Sequence, residues 1–246
     1  MDLVAEVKKK RELSGLPDSI VERSLEMSKN DVKGARALLR KYFGVFLTNK
    51  VLKGKGIGVL ESHISSRGRD YEKVYPKIIG EENVIVDLGC GANGFSYEKI
   101  LEYGKYKYIG VEAVGQLVTN MNNYFNTPKG MSENKLNAKA ICGDLMDYQE
   151  TLDIISAEKG RISVWMFNVL DALENSKKDY SKKLIDGVFG IKNVKKIIIG
   201  LPVESISGRK KFNVSRVWLT DFLKEKYNMV DDFLAGYERV LVVSRI

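Results

Sequence analysis

Val84-Ile85-Val86-Asp87-Leu88-Gly89-Cys90-Gly91-Ala92-Asn93-Gly94 is the stretch that decides how the rest of the chain reads. Four of its first five residues are apolar, as in a strand buried on both faces of a parallel sheet. Three glycines then fall within six residues, which lets the backbone turn sharply and approach a ligand with no Cβ in the way. Working outward, Tyr108-Ile109-Gly110-Val111-Glu112 and Ala138-Lys139-Ala140-Ile141-Cys142-Gly143-Asp144 are two further apolar runs that end in an acid. Three acid-tipped strands in order point to a cofactor loop rather than an ordinary glycine-rich turn.

Gly89, Gly91 and Gly94 also satisfy the G-x-G-x-x-G spacing of dinucleotide sites, and Glu112 follows at the distance of a ribose contact. Asp87 tilts the choice. A carboxylate two residues before the first glycine repels a pyrophosphate but accepts from the ammonium of an amino-acid-bearing cofactor. The pattern D-x-G-x-G-x-x-G resembles motif I of the S-adenosylmethionine-dependent methyltransferases. That resemblance implies S-adenosyl-L-methionine as cofactor, with Glu112 on the ribose hydroxyls and Asp144 on the adenine amino group.

The 246 residues, 44% of them hydrophobic, suit one sizeable α/β domain plus a small extra module. Two cysteines, Cys90 and Cys142, are too few for a disulfide framework and fit free thiols in a reducing cytoplasm. No apolar leader and no run of eighteen apolar residues occurs, so neither secretion nor a membrane is expected. Nothing suggests a metal site, and no oligomeric state is indicated. The net charge of +8 is concentrated in front: residues 1–60 carry 13 Lys and Arg against 7 Asp and Glu. A basic front module is unnecessary for a small metabolite but draws a polyanion such as RNA.

Residues 1–55 read as a basic helical module, with helices over 3–13, 18–27 and 31–47 started by Pro17-Asp18 and by Asn30 or Asp31. Lys53-Gly54-Lys55-Gly56-Ile57-Gly58 reads as a flexible connection to a second domain, residues 56–246. From Val84 on, strands and helices alternate through Ile162–Phe167 and 195–200, as in a parallel sheet with right-handed crossovers. A helix over 218–227 and strands over 229–237 and 239–246 close the chain. The expected fold is therefore α/β, a Rossmann-like class-I methyltransferase sheet with a terminal antiparallel strand behind a small helical module.

Two more segments narrow the resemblance: Ser62-His63-Ile64-Ser65-Ser66-Arg67-Gly68-Arg69-Asp70-Tyr71, and the 200–210 stretch Gly-Leu-Pro-Val-Glu-Ser-Ile-Ser-Gly-Arg-Lys. With Ile20-Val21-Glu22-Arg23 and Trp218-Leu219-Thr220-Asp221-Phe222, they resemble the aminoglycoside-resistance small-subunit ribosomal RNA methyltransferases, which methylate a guanine at its seven-position nitrogen. By that resemblance Arg69 holds the cofactor carboxylate, Gly89 and Gly91 flank its methionine part, and Asp144 with Leu145 takes the adenine. The implied substrate is ribosomal RNA or the small ribosomal subunit.

Two positions depart from the family's pattern: Gly68 stands where it has a glutamate and Asn168 where it has a lysine. Asn168 is expected to hydrogen-bond the edge of a flipped guanine, and Phe167 or Trp165 to stack on it. Arg209, Lys210 and Lys211 are expected to hold phosphates beside the site, while residues 8–11, Arg36, Arg40 and Lys41 meet RNA at a distance. His63, the single histidine, is expected to orient substrate or support structure, because the seven-position nitrogen carries no proton to remove. A small-molecule or protein methyltransferase, or a non-catalytic ribosome-binding protein retaining the pocket, are the competing readings.

Overall fold

The computed structural model describes residues 2–44, 46–54, 56–127, 136–203 and 216–246. The helices are α1 (Leu3–Lys8), α2 (Asp18–Met27), α3 (Val32–Phe43), α4 (Asn49–Lys53), α5 (Gly58–Ser62), α6 (Tyr71–Ile78), α7 (Tyr97–Leu101), α8 (Gly115–Asn126), α9 (Tyr148–Ser156), α10 (Leu170–Ser176), α11 (Tyr180–Gly190) and α12 (Val217–Lys226). The strands are β1 (Val84–Leu88), β2 (Lys107–Glu112), β3 (Ala138–Cys142), β4 (Ile162–Phe167), β5 (Val194–Pro202), β6 (Asn228–Ala235) and β7 (Glu238–Ser244).

They form one sheet in the order β3-β2-β1-β4-β5-β7-β6. The first five strands are parallel, and β7 runs antiparallel between β5 and β6. This is the α/β class-I methyltransferase topology, with the antiparallel closure expected from the last two apolar runs. The chain runs outward from β1 through β2 to β3 and then crosses to β4 on the other side of β1, so the switch point at the carboxyl ends of β1 and β4 opens a crevice for a ligand.

Alternation along each strand sends side chains to two helical layers. Val84, Val86, Leu88, Val164 and Ile197 face a core shared with α10, α11 and α12. Ile85, Tyr108, Trp165 and Val242 face the other core, which also contains Val7, Val21, Leu39, Val51 and Val59. The amino-terminal helices α1, α2 and α3 pack chiefly on one another, and their buried apolar residues are continuous with this core.

The helix ends differ from the sequence reading. α3 starts where Asp31 accepts from Lys33 N at 3.0 Å and Gly34 N at 2.9 Å, and it stops at Phe43, before Gly44. The first helix stops at Lys8, and a short 3-10 turn covers Arg11–Leu13. The interruption falls in the run of four cations at 8–11, where like charges one turn apart repel. The glycine-punctuated connection carries α4 and α5 on its two sides, with Val51, Val59 and Leu60 buried.

Candidate functional site

Past β1 the chain turns through Gly89 and Gly91, at φ +67° and +53°, a left-handed conformation that glycine adopts without strain. A Cβ on Gly89 would lie 2.8 Å from Val169 Cγ2, and one on Gly91 would lie 2.7 Å from His63 Cε1. The amides of Gly89 and Cys90 donate to Val111 O at 2.8 and 3.0 Å, which ties the loop to the end of β2. Glu112 completes the tie: Oε2 accepts from Gly91 N at 2.9 Å and Oε1 from Val114 N at 3.0 Å. Burial pushes its carboxyl above the usual range, against the pull of these backbone donors.

Asp87 is fully buried. Its Oδ2 accepts from Asn93 Nδ2 at 2.7 Å and Tyr108 OH at 2.9 Å, while Oδ1 has no partner. Burial raises its carboxyl to about 6, although both donors and the nearby Arg69 pull the other way. An orphaned buried carboxylate oxygen beside two glycines that leave no room for a Cβ fits a small cationic group. A buried ammonium acceptor is what the amino-acid end of S-adenosylmethionine requires.

Asp144, at the end of the β3 strand region, is also buried. Its Oδ2 accepts from Arg23 Nη2 at 2.7 Å and Ser19 Oγ at 2.8 Å, and Oδ1 accepts from Met146 N at 3.0 Å. Leu145 is buried beside it, and its carbonyl accepts from Tyr180 OH at 2.6 Å. Both donor side chains on Oδ2 come from α2. Gly15 O adds a contact by accepting from Gly115 N at 3.0 Å.

Arg69 differs from expectation. Its guanidinium is buried and forks onto Glu238, with Nε to Oε2 and Nη2 to Oε1 both at 2.8 Å. Nη1 donates to Asn93 Oδ1 at 2.9 Å, and the ring of Phe167 lies 4.0 Å from the guanidinium carbon. Burial opposes the charge on Arg69, but the Glu238 carboxylate outweighs it and keeps the group cationic. The fork expected for a ligand carboxylate is therefore already filled by an internal one.

Asn168 sits at φ +59° just past β4, donates from Nδ2 to Glu238 Oε1, and leaves Oδ1 buried without a partner. Phe167 gives its face to Arg69 and an edge-to-face contact to Trp165. Trp165 itself is fully buried, its indole N–H held by Ser163 Oγ at 3.0 Å, so it belongs to the core. His63 stacks on Phe46, pairs through Nδ1 with Ser66 Oγ at 3.0 Å, and has an unpartnered Nε2 beside Gly91. Burial, aided by Arg69, lowers its pKa to about 4, so the ring is neutral at pH 7.

Arg209, Lys210 and Lys211 lie outside the described residues. In the helical segment Lys8 pairs with Asp18 at 2.6 Å, Arg40 with Glu12 at 2.7 Å, and Arg36 donates to the Glu6 carbonyl. Lys10, Arg11 and Lys41 are exposed. Among the described residues no cluster of His, Cys, Asp and Glu could hold a metal, and no helix is long and apolar enough to cross a membrane. Cys90 and Cys142 are free thiols.

Sequence reasoning missed Glu238, Asn93, Tyr108 and Ser19 as parts of the site. Asn93 and Tyr108 lie within the quoted runs, but the role of Glu238 appears only once β7 is placed.

No family model and no curated relative matches the chain. Solved structures match over its whole length. An rRNA methylase from Escherichia coli has a TM-score of 0.78 at 18% identity, covering 100% of this chain and 99% of its own. The 16S rRNA methylase RmtB has a TM-score of 0.76 at 17% identity, with coverages of 100% and 98%. The 16S rRNA methyltransferase RmtF, solved in complex with S-adenosyl-L-homocysteine, has a TM-score of 0.75 at 18% identity, with coverages of 99% and 97%. At these identities the likeness establishes a shared fold, from the amino-terminal helices to the antiparallel closure.

Proposed function

We propose that this chain is an S-adenosylmethionine-dependent RNA methyltransferase whose acceptor is a guanine ring nitrogen in small-subunit ribosomal RNA. The observation that carries the reading is the orphaned Oδ1 of Asp87, buried beside a glycine loop, with Glu112 at the end of the neighbouring β2 and Asp144 two residues past the end of β3. The full-length fold likeness to rRNA methylases supports it.

S-adenosylmethionine, when bound, supplies an electrophilic sulfonium methyl. The chain's own residues bind and align. Ionised Asp87 receives the ammonium, and Glu112, fixed by two backbone amides, presents oxygen lone pairs to the ribose diol. Asp144 and Leu145 take the adenine end. Asn168 Oδ1, an acceptor without a donor, is suited to an N–H on the edge of the target base. A ring nitrogen that already has a lone pair needs no base, so holding it in line with the methyl is the main contribution. Neutral His63 can position a group through Nε2 but is not charged at pH 7 and so does not serve as a general acid.

We assign residues 1–55 as the RNA-facing module, with exposed Lys10, Arg11 and Lys41 as phosphate contacts. Arg209, Lys210 and Lys211 serve the same purpose next to the acceptor.

Methyl transfer from tritium-labelled S-adenosylmethionine to small ribosomal subunits, naked ribosomal RNA and transfer RNA tests the reading, with Asp87→Ala as control. Label in small-subunit RNA, absent from the control, is expected. Cofactor binding with no label in any RNA would overturn it.

A further inference from the structure

We propose that Glu238 is a positioning residue that clamps the guanidinium of Arg69 and the amide of Asn168 in one bracket, setting both the charge a ligand carboxylate meets and the way the Asn168 oxygen points.

Glu238 is 4% exposed and opens β7, where it is paired with Pro202 on one side and Ala235 on the other. The turn before it is seated closely. A Cβ on Gly236, at φ +57°, would lie 2.9 Å from Gly68 O, and one on Gly68 would lie 2.9 Å from the Tyr237 ring. The absence of a side chain at position 68 is thus what lets the β6–β7 turn press against the segment carrying Arg69 and bring Glu238 to it. Oε1 accepts from both Arg69 Nη2 and Asn168 Nδ2, and Oε2 accepts from Arg69 Nε.

Two consequences follow from the chemistry of these groups. A buried carboxylate that lost its guanidinium would be left uncompensated, so Glu238 does not yield the fork to an incoming carboxylate. A ligand carboxylate near Arg69 therefore meets a nearly neutral pair and can use only the N–H groups the fork leaves over. Second, a carboxylate can only accept, so the end of the Asn168 amide facing it must be Nδ2. That fixes Oδ1 as the end left to the site, and an Oδ1 acceptor selects a target edge that presents an N–H donor.

This inference rests on the methyltransferase reading, and its test separates the two. The probes are S-adenosylhomocysteine, which has the carboxylate, and 5′-methylthioadenosine, which lacks the amino-acid end, both titrated calorimetrically. In Glu238→Gln, Arg69 regains its full charge, and the preference for S-adenosylhomocysteine over 5′-methylthioadenosine should rise about tenfold. Turnover on small-subunit RNA at saturating cofactor should fall at the same time. Glu238→Asp keeps the charge and should keep the wild-type preference, which a merely structural role would not distinguish from Gln. The double variant Arg69→Met/Glu238→Leu replaces the pair with apolar groups and covers the case in which the single variant does not fold. Its preference should stay within about threefold of wild type, because the pair it removes is already neutral.

A folded Glu238→Gln with unchanged preference, equal changes in Gln and Asp, or loss of the preference in the double variant would each overturn the inference alone. Wild-type protein that binds neither probe would overturn the methyltransferase reading and the inference with it.

Discussion

Arg23 donates from Nη2 to Asp144 Oδ2 at 2.7 Å, joining α2 to the end of the β3 strand region across 121 residues of sequence. Ser19 reaches the same oxygen at 2.8 Å, so the basic helical segment is fastened to the acid proposed for the adenine. The Arg23 side chain is 36% exposed while that of Asp144 is 5% exposed, which places the pair between a surface bridge and a buried one. After discounting for solvent screening, a double-mutant cycle with Arg23→Ala and Asp144→Asn should give a coupling of about 1 kcal/mol in urea unfolding. Additive effects would mean that the segment is not held there in solution.

The Gly91–His63 contact sets a second expectation. Gly91→Ala puts a methyl at φ +53° and 2.7 Å from the imidazole, and should cost about 1–3 kcal/mol. Truncating the ring in a His63→Ala/Gly91→Ala double variant removes the clash and leaves only the backbone penalty. The double variant should therefore be more stable than the two single losses summed, as read from denaturant midpoints. Simple additivity would show that the ring does not abut the loop.

The fold was legible because its signals are local. Five apolar runs end at acids, glycines or polar turns, and each became a parallel strand of the sheet; the two carboxyl-terminal runs became the antiparallel pair, while the strand order appears only in the structure. The placement of Asp87, Gly89, Gly91 and Glu112 at strand ends and in the turn was legible for the same reason, since a turn and the strand feeding it are written in consecutive residues. Glu238 was not, because its partner Arg69 is 169 residues away and a glutamate after Gly236-Tyr237 looks like any turn acid on a surface. Arg36 and Arg40 read as RNA contacts by charge alone, yet folding places them on carbonyls of the α1 region and on Glu12. Helix ends were misread where charge repulsion or a glycine acted against a continuing apolar pattern.

RNA affinity should weaken steeply with salt if the basic groups meet phosphates. Each neutralised phosphate contact contributes roughly 0.7 to the slope of log affinity against log salt for a single strand. Replacing Arg209, Lys210 and Lys211 together with Ala should flatten that slope by up to about 2 in filter binding to small-subunit RNA. A slope equal to wild type would place these residues away from the RNA.

Asp87 should make cofactor affinity depend on pH near 6. Its carboxyl titrates at about 6 when folded and from an ordinary value of 3.8 when unfolded, because burial penalises the charged form. Between those values the folded state holds a proton that the unfolded chain has lost. Asp87 therefore favours folding at low pH, and this contribution disappears as pH rises through 6, to a limit of about 3 kcal/mol. His63 has the opposite sign: it titrates at about 4 when folded and from 6.5 unfolded, so its burial costs stability as pH falls below 6.5. Comparing wild type with Asp87→Asn at each pH isolates the first term, and the variant should gain relative stability as pH rises from 4 to 7. Binding shows the reverse preference, since only ionised Asp87 attracts an ammonium. Wild-type affinity for S-adenosylhomocysteine should climb up to about tenfold per pH unit below 6 and level off above it. In Asp87→Asn it should be weaker and flat over the same range. A wild-type profile as flat as that of the variant would show that this carboxylate does not receive the ammonium.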